Sequence, residues 1–362
     1  MRKRYHSTRV YSTLVGDPTV IVVGAGVAGL ACARDLTARR IPNVLVEAAP
    51  TVGGRCATTR THGQLVDHGL PFLHAKSGEF GEALNQLDPD GKVLGWPSDV
   101  REPRLMSPND ALKPGRRRMA RRGGVHEFAE WLARGLDVRL GDAAVALEDL
   151  GGAVRVRSAA GAAFEAPFVI LACPLRASVA LAAPLVAGWP GAAARLEALA
   201  RIRPLPALTV IAGYDPGAFD VPFHLWSPLE TTMLHLVVHD SSKREGPRER
   251  VLVLHARARY SSEHLGDPPE TWRDELLWEL GEILDRRAEA PRWSETHVWA
   301  DARIADHDRQ KDGVVFQSEG GASVALVGDA FGHDPGVEGA YFSGLSFAEQ
   351  IALLLATRAG RV

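Results

Sequence analysis

Three closely spaced glycines mark the part of the chain whose residue types and spacing could do chemistry. Gly24, Gly26 and Gly29 fit the pattern G-x-G-x-x-G and directly follow the apolar residues 20–23. In such a turn the first glycine permits the bend, the second lets the backbone approach a pyrophosphate, and the third brings a helix against a strand. The N–H groups at the start of that helix then meet the phosphate charge. The motif therefore predicts a dinucleotide site.

A carboxylate and a second glycine turn follow this motif. Glu47 lies 23 residues after Gly24, at the end of the apolar stretch 44–46, where it can accept hydrogen bonds from the adenosine ribose hydroxyls. After five more residues comes Gly53-Gly54-Arg55, a compact turn whose guanidinium could cradle a pyrophosphate. Nicotinamide domains do not usually need this second turn, so the pair of turns favours a flavin dinucleotide.

The residues around these motifs predict a strand, helix, strand unit of the doubly wound type. The β-branched, apolar residues 20–23 indicate a buried parallel strand, apolar residues recur at helical spacing over 29–39 until Pro42, and 44–46 form the next strand. Residues 78–113 show no sustained period and predict an excursion from this unit.

Two styles of pattern alternate along the rest of the chain. The first style comprises a helix over 125–134, short strands over 137–140, 143–147, 154–157 and 164–171, and helices between 174 and 200 broken by Pro184 and Pro190. The second style comprises longer alternating strands over 207–213, 232–238 and 251–257 and a helix over 272–286. A buried strand over 324–327 and a helix over 338–356 return to the first style.

These patterns predict an α/β fold, with a Rossmann-type FAD-binding domain and a second, largely antiparallel-sheet substrate domain. Residues 1–17 are interpreted as a basic tail whose role stays open. Residues 18–75, 123–175 and 318–362 are assigned to a discontinuous FAD-binding domain. Residues 76–122 and 176–317 are assigned to the substrate domain.

Composition narrows the classes of partner. The chain has 362 residues, 46% of them hydrophobic, and a formal net charge of −2, which gives no electrostatic case for nucleic acid. Five arginines over 116–122 favour a solvated loop, or contact with phosphate or an acidic substrate, over nucleic acid. Three dispersed cysteines predict neither a disulfide framework nor a metal site, and favour a cytoplasmic setting. No apolar run has the length of a membrane span.

The sequence does not indicate an oligomeric state, which stays open.

The motifs GAGVAG, E-x5-GGR and VALVGDAFGHDPGVEGAYFSG resemble the flavin-binding amine oxidase superfamily, especially its renalase-like branch. LVDHGLPFLHA, residues 65–75, is similar to the family segment that carries the chain across the flavin face. RRGGVHEFAEWLARGLDVRLGDAAVALE is similar to the stretch that leads into the adenine-contacting strand, where the resemblance implies that Val145 holds adenine through its backbone. THVWADAR, residues 296–303, is similar to a His-x-Trp element of renalase-like proteins.

The resemblance also assigns roles near the end of the chain. It implies that Gly328 and Asp329 contact the ribityl or phosphate end of FAD, and that the last helix points its positive end at the pyrimidine side of the isoalloxazine. The cofactor contacts implied at the start of that helix are Gly336, Val337, Glu338 and Gly339. The last segment has no cysteine for covalent attachment, so we expect non-covalent FAD. Cys56 is interpreted as a buried, inert thiol.

The sequence departs from the family at two places. Amine oxidases place a lysine on a substrate-domain strand near flavin N5, whereas Lys243 and Lys311 lie in polar sequence, so we predict that this lysine is absent. Renalase-like proteins commonly have Gln and Tyr where this chain has Pro71 and Phe72, which removes two polar groups from the expected flavin face.

Aromatic and imidazole side chains near the predicted flavin-facing loops are candidates for substrate contact. The residues selected as catalytic candidates are Phe72, His74, Trp299, His333 and Tyr341, and the further aromatic candidates are Trp96, His224 and Trp226. Hydride transfer to flavin N5 needs orientation more than a strong base, so the absence of an obvious acid and base pair does not argue against catalysis.

The sequence thus predicts an FAD-dependent oxidoreductase that oxidises a small organic molecule, an amine or a dihydronicotinamide-like compound, by hydride transfer to flavin N5, with oxygen as electron acceptor. An FAD-dependent desaturase, isomerase or dehydrogenase on the same scaffold is the nearest alternative, and a long apolar pocket would favour it. A non-catalytic protein that uses the dinucleotide as a structural or sensing element is the alternative from another class.

Overall fold

The computed structural model describes residues 18–102, 110–112, 117–229, 231–244, 249–332 and 334–358. The strands of these residues are β1 Val20–Val23, β2 Asn43–Glu47, β3 Thr58–Thr61, β4 Gln64–Asp67, β5 Leu73–Ala75, β6 Lys92–Leu94, β7 Val100–Arg101, β8 Arg117–Arg121, β9 Val138–Leu140, β10 Ala144–Asp149, β11 Val154–Ser158, β12 Ala163–Ala166, β13 Phe168–Leu171, β14 Leu205–Tyr214, β15 Leu225–Trp226, β16 Leu234–His239, β17 Arg250–Ala256, β18 Trp293–Arg303, β19 Val314–Gln317 and β20 Ser323–Leu326. The helices are α1 Val27–Ala38, α2 Gly78–Asn85, α3 His126–Ala133, α4 Leu175–Val186, α5 Ala192–Arg201, α6 Ala258–Glu263, α7 Pro269–Ile283 and α8 Gly336–Arg358.

Six strands from distant parts of the chain form the sheet that carries the glycine motif. Their order is β19, β20, β13, β1, β2, β9, and all pairs are parallel except that of β19 with β20. Val22 on the central strand β1 lies opposite Ile170 on one side and Leu45 on the other. This arrangement confirms the predicted Rossmann-type α/β fold.

Both faces of the first sheet are buried at its central strands β1 and β13, which explains why these two strands are apolar throughout. Side chains alternate along β1, so Val20 and Val22 pack in a core with α1, α3 and α8. Ile21 and Val23 point to the opposite face and pack in a core with α4 and α5. The glycine turn after β1 is therefore held between two packed layers.

The second sheet has the order β18, β14, β17, β16, β15, β7 and is antiparallel except between β15 and β7. Leu208 and Val210 of β14 face a core that includes Trp272 of α7. Ile211, the residue after Val210, lies on the other face and packs with Phe72 of the 65–75 segment. This sheet confirms the predicted antiparallel second layer, and its second face meets the segment that was expected to cross the flavin.

The structure corrects two predicted boundaries. Residues 164–171 are not one strand, because β12 ends at Ala166 and β13 begins at Phe168 in a different sheet. Pro167 between them has no N–H to donate to a strand partner. Pro184 does not break a helix, since α4 continues through it to Val186.

Residues 78–85, expected to be irregular, form α2. Ser77 caps this helix, its Oγ accepting a hydrogen bond from the Phe80 N–H at 3.1 Å. Phe80 and Leu84 pack in the same core as α1, not against the second sheet. Within residues 76–122, α2 therefore packs with the first layer, whereas Trp96 packs beneath the second sheet.

α8 is, within the part of the chain that the structure describes, the one helix whose length and composition would allow it to cross a bilayer. Of its most apolar window, 39% is buried inside the protein. Gly344 lies so close to α1 that a Cβ there would overlap the carbonyl oxygen of Ala28. The core helix of a globular protein passes the same test of length and composition, and the packing of α8 along α1 is of that kind.

Candidate functional site

The three glycines of the first turn have the separate roles that their spacing predicts. Gly24 has a φ of +105°, and a Cβ there would lie 2.9 Å from the backbone of Ala172. A Cβ on Gly29 would overlap the carbonyl oxygen of Gly24. Gly26 instead faces open space, with no atom within 4 Å of the Cβ position. The turn thus leaves room in front of the first turn of α1, where backbone N–H groups can meet a pyrophosphate.

The second glycine turn lies directly against the first. The N–H of Gly53 donates to the carbonyl oxygen of Ala25 at 2.8 Å, and Gly53 has a φ of +117°. A Cβ on Gly54 would lie 3.6 Å from the Cα of Gly26. Two motifs that are separate in sequence therefore form one glycine-lined surface, and its open side suits the close approach of a dinucleotide.

Glu47 lies at the rim of this surface. Its Oε2 accepts a hydrogen bond from the Ala25 N–H at 2.6 Å, and its Oε1 accepts one from the Ala49 N–H at 2.7 Å. These bonds fix the half-buried carboxylate beside the first glycine turn. Each carboxylate oxygen retains a second acceptor position, which a ribose hydroxyl could use.

Arg55 links the second glycine turn to the end of the first sheet. Its two terminal nitrogens donate to the two carboxylate oxygens of Asp329, at 2.7 and 2.6 Å, in a bidentate ion pair. The same guanidinium donates to the carbonyl oxygen of Ala302 in β18 at 3.2 Å. Arg55 therefore holds together the glycine surface, the turn after β20 and the edge strand of the second sheet.

The start of α8 provides open positions and one structural carboxylate. Gly328 and Gly336 have φ values of +140° and +74°, and neither has an atom within 4 Å of its Cβ position. Glu338 is 3% exposed, and its carboxylate accepts hydrogen bonds from the N–H groups of Lys76 and Ser77 at 2.7 and 2.8 Å. In the structure Glu338 thus joins α8 to the residues before α2, so we leave it out of the proposed cofactor contacts.

Other predicted residues of α8 face protein. Val337 packs against the first core, and a Cβ on Gly339 would overlap a backbone carbonyl oxygen in the preceding turn. The ring of Tyr341 lies 5.3 Å from Phe80 and 6.3 Å from Phe128. We therefore also leave Tyr341 out of the proposed substrate site, because these are contacts of a core side chain.

Val145 lies where the pairing of β10 with β11 slips. Ala144 pairs with Ser158 and Ala146 with Arg157, so Val145 has no partner residue in the register. Its side chain is 57% exposed. A β-bulge takes one peptide out of the ladder, which is what a backbone contact to adenine at Val145 requires.

Imidazole and indole rings gather where the 65–75 segment meets the second sheet. The ring centroid of His68 lies 4.8 Å from that of His297 and 5.3 Å from that of Trp299, and the last two lie 4.2 Å apart. Gly69 follows at once, and a Cβ on it would overlap the carbonyl oxygen of Arg55 and lie 3.1 Å from the Trp299 ring. This imidazole cluster of His68, His297 and Trp299 therefore adjoins the second glycine turn.

The same face of the second sheet extends the imidazole cluster. Thr209 of β14 pairs with His297 on one side and His255 on the other, and its Oγ1 lies 3.0 Å from His255 Nδ1. Neither His68 Nδ1 nor His255 Nε2 has a hydrogen-bond partner among the described residues. Burial lowers the pKa of His255 to about 3 and that of His297 to about 4, so both rings are neutral at pH 7.

His68, His255 and Thr209 were not selected from the sequence. Their signal was present in the alternation of β14 and β17, where Thr209 and His255 occupy positions on the face opposite Leu208 and Leu254. The register between strands, which brings these positions together, is not readable from one strand alone. Of the predicted substrate-side residues that the structure describes, Trp299 is the one that joins the cluster.

Another predicted group packs on the apolar part of the same sheet face. Phe72 lies 6.2 Å from His74 and 6.0 Å from Trp96 between ring centroids, and Trp96 stacks on His224 at 5.8 Å. Trp226 lies on the opposite face, in the core with α7. His333 lies outside the described residues.

Lys243 lies in a polar turn outside the strands, in line with its polar sequence, but it is buried. Its side chain is fully buried, 2.7 Å from Asp67 and 2.6 Å from Asp240, and its ammonium lies 4.8 Å from the centroid of the Trp96 ring. The sequence around Lys243 is polar in part because it includes Asp240, one of the two ion-pair partners of Lys243. No strand of the second sheet, as the structure describes it, carries a lysine, which agrees with the expected absence of a strand-borne flavin lysine.

Other candidate groups have structural surroundings. Burial raises the pKa of the Cys56 thiol to about 12. Arg118, Arg121 and Arg122 donate hydrogen bonds to backbone carbonyl oxygens of nearby loops, and Arg116 lies outside the described residues. Across the described ranges no group of three or more His, Cys, Asp or Glu side chains could hold a metal ion.

The parallel sheet and glycine surface define a Rossmann-type dinucleotide-binding protein, and comparison with known families makes this specific. A model described as NAD(P)-binding Rossmann-like domain matches residues 22–87, and one described as Flavin containing amine oxidoreductase matches residues 90–352. The chain belongs to the flavin-containing amine oxidoreductase family. Membership confirms the predicted superfamily, the FAD-dependent oxidoreductase class and the flavin cofactor.

Individual relatives match shorter stretches or only the fold. Polyamine oxidase 5 of Oryza sativa subsp. japonica is 36% identical over 78 residues, which are 22% of this chain and 15% of that protein. Cyclohexylamine oxidase from Brevibacterium oxydans IH-35A has a TM-score of 0.68 at 14% identity, covering 93% of this chain and 100% of that one. Putrescine oxidase bound to putrescine has a TM-score of 0.65 at 14% identity, covering 93% and 99%. At these identities the structures show the fold alone.

Proposed function

We propose that this chain binds FAD non-covalently and oxidises a small amine, or a dihydronicotinamide-like molecule of the kind that the renalase-like resemblance implies. The observation that carries the proposal is one continuous path of contacts. The two glycine turns lie at one end, the ion pair of Arg55 with Asp329 lies in the middle, and Gly69 brings the imidazole cluster against Arg55. A dinucleotide on the glycine surface would therefore end at the second sheet.

Each part of this path has a proposed role in holding the cofactor. Gly26 and the first N–H groups of α1 hold the pyrophosphate, Glu47 accepts hydrogen bonds from the ribose, and the backbone of Val145 contacts adenine. Gly328 and Gly336 leave room beside the isoalloxazine. Bound FAD supplies a hydride acceptor at flavin N5.

The imidazole cluster is the proposed substrate wall. Neutral imidazoles can accept a hydrogen bond from a substrate N–H, and the indole of Trp299 offers an apolar face beside them. Their part in the reaction is orientation, since hydride transfer depends on a close, aligned approach and not on a strong base. A wall of imidazole and indole rings favours a compact, nitrogen-containing substrate over the long apolar substrate expected of a desaturase. Oxygen is the proposed electron acceptor.

The domain division is a further part of the proposal. Residues 18–75, 123–175 and 318–362 form the FAD-binding domain and 76–122 and 176–317 the substrate domain, except that α2 is counted in the former because Phe80 packs in its core. A cytoplasmic setting agrees with three cysteines that are all free thiols.

The absorption spectrum of the purified protein tests this function. We expect a yellow protein that releases free FAD on acid precipitation and is bleached anaerobically either by amines or by reduced nicotinamides. A Trp299→Phe variant that keeps its FAD but bleaches more slowly would support the proposed substrate wall. Protein that stays colourless after incubation with FAD would refute the proposal, and yellow protein that neither donor class bleaches would favour the non-catalytic alternative.

A further inference from the structure

Four charged side chains form a buried ionic cluster beneath the 65–75 segment. They are Asp67, Asp240, Lys243 and Arg244, and none of their side chains is more than 4% exposed. Lys243 lies 2.7 Å from Asp67 and 2.6 Å from Asp240, and Arg244 lies 2.6 Å from the second oxygen of Asp240. The two cations and two anions balance in formal charge.

Fold stability alone does not account for this ionic cluster. Desolvation of buried charges costs several kcal/mol each, and apolar residues of similar volume in their place are often as stable or more stable. The neighbouring part of the same sheet face is apolar, with Ile211, Val253 and Val238 packed in one core. Charged groups beside this apolar core therefore point to a directional role, because ion pairs with hydrogen bonds fix geometry where apolar contacts do not.

Asp67 connects the ionic cluster to the 65–75 segment, because it belongs to both. Its Oδ1 accepts hydrogen bonds from Thr58 Oγ1 at 2.6 Å and from the Val125 N–H at 2.9 Å, while its Oδ2 accepts from Lys243 at 2.7 Å. The carboxylate is thus held from β3, from the start of α3 and from the turn after β16. His68, the next residue, carries its ring into the imidazole cluster.

We propose that Lys243 is a positioning residue, which clamps Asp67 and thereby fixes His68 and Gly69 between the glycine surface and the second sheet. This inference rests on the proposed function in one respect, which is that the 65–75 segment lies at the face of the bound flavin. Lys243 is not itself assigned a contact with cofactor or substrate, since Asp67, Asp240 and the Trp96 ring already surround its ammonium.

The test is a double variant that keeps the ionic cluster neutral. Lys243→Met with Asp240→Asn removes one charge of each sign and leaves Asp67 opposite Arg244, 3.7 Å apart. We expect this protein to fold, to show altered ring signals of His68 in NMR spectra, and to bind FAD about tenfold more weakly, with a changed flavin absorption band. The control, Arg201→Met with Glu197→Gln, removes an ion pair on α5, which packs on the other face of the first sheet, and should leave the His68 signals and flavin band unchanged.

Wild-type His68 signals and a wild-type flavin band in the folded double variant would overturn the proposal, as would an equal change in the control. A measurement on the unaltered protein is independent of the variants: the side-chain ammonium signal of Lys243 should shift when FAD is added. An unmoved signal during saturation with FAD would also overturn the positioning role. Failure of the unaltered protein to bind FAD would instead refute the proposed function, so the two failures are distinguishable.

Discussion

Two alanine substitutions, three residues apart, separate the cofactor role of the glycine turn from its structural role. In Gly26→Ala the new methyl group projects into open space, and the backbone at this position, with a φ of −73°, is one that alanine adopts freely. In Gly29→Ala the methyl group overlaps the carbonyl oxygen of Gly24. The first change should therefore spare the fold, and the second should not.

The expected magnitudes differ in the same sense. At Gly26 the change to alanine should stabilise the cofactor-free protein by up to about 1 kcal/mol, because alanine restricts the unfolded chain. The methyl group occupies the place proposed for the pyrophosphate, and losing one hydrogen bond to a charged phosphate should weaken FAD binding by roughly 1.5–3 kcal/mol, about 10- to 150-fold. At Gly29 the overlap should destabilise the fold by roughly 1–3 kcal/mol.

Denaturant unfolding of the cofactor-free proteins and fluorescence titration with FAD measure the two effects separately. The reasoning predicts that Gly26→Ala loses affinity but no stability, and that Gly29→Ala loses stability. If Gly26→Ala bound FAD as tightly as the unaltered protein, the phosphate would not lie at this turn. If both variants were equally destabilised, the inference that a methyl group on Gly26 projects into open space would be contradicted.

Three further predictions concern the neighbouring side chains. Glu47→Ala should weaken FAD binding by roughly 1.5–3 kcal/mol but affect FMN binding less, since FMN has no adenosine ribose; equal losses in titrations with both would exclude the ribose contact. Arg55→Lys keeps the charge but loses the bidentate geometry with Asp329, so FAD should dissociate faster, and an unchanged dissociation rate would contradict the role of the ion pair. The pKa values of His255 and His297 fall from 6.5 to about 3 and about 4, chiefly through burial, so the unfolded chain takes up protons that the folded state does not. Stability should therefore be full above pH 6.5 and fall as the pH drops toward about 3; a free energy of unfolding that is flat over this range would refute the neutral assignment.

The first sheet was predictable because its signals are local. Val20–Val23 and the three glycines after it lie within ten residues, and a strand buried on both faces is apolar without interruption. Gly53 and Arg55 were readable for the same reason, since a glycine turn has a specific backbone requirement. The contact between the two turns, through Gly53 and Ala25, could only be expected by analogy with the family.

The substrate side was less predictable because its contacts depend on register. Thr209, His255 and His297 are adjacent only because three strands pair with one particular alignment, and a shift of one residue would point them to the core with α7. The burial of Lys243 was not predictable for a related reason, because one of its two acidic partners, Asp67, is far away in sequence.

Among the described residues, the cations Arg55 and Lys243 near the proposed site are matched by carboxylates within the protein. Arg55 is paired with Asp329, Lys243 with two carboxylates, and Glu338 with backbone N–H groups. Little net side-chain charge is therefore left to attract a pyrophosphate, and its binding must rely on the N–H groups of α1 and on the space that Gly26 leaves open. This explains why the overall charge of the chain carried no functional signal while the spacing of three glycines did. The substrate wall can consist of neutral imidazoles because burial lowers the pKa values of His255 and His297.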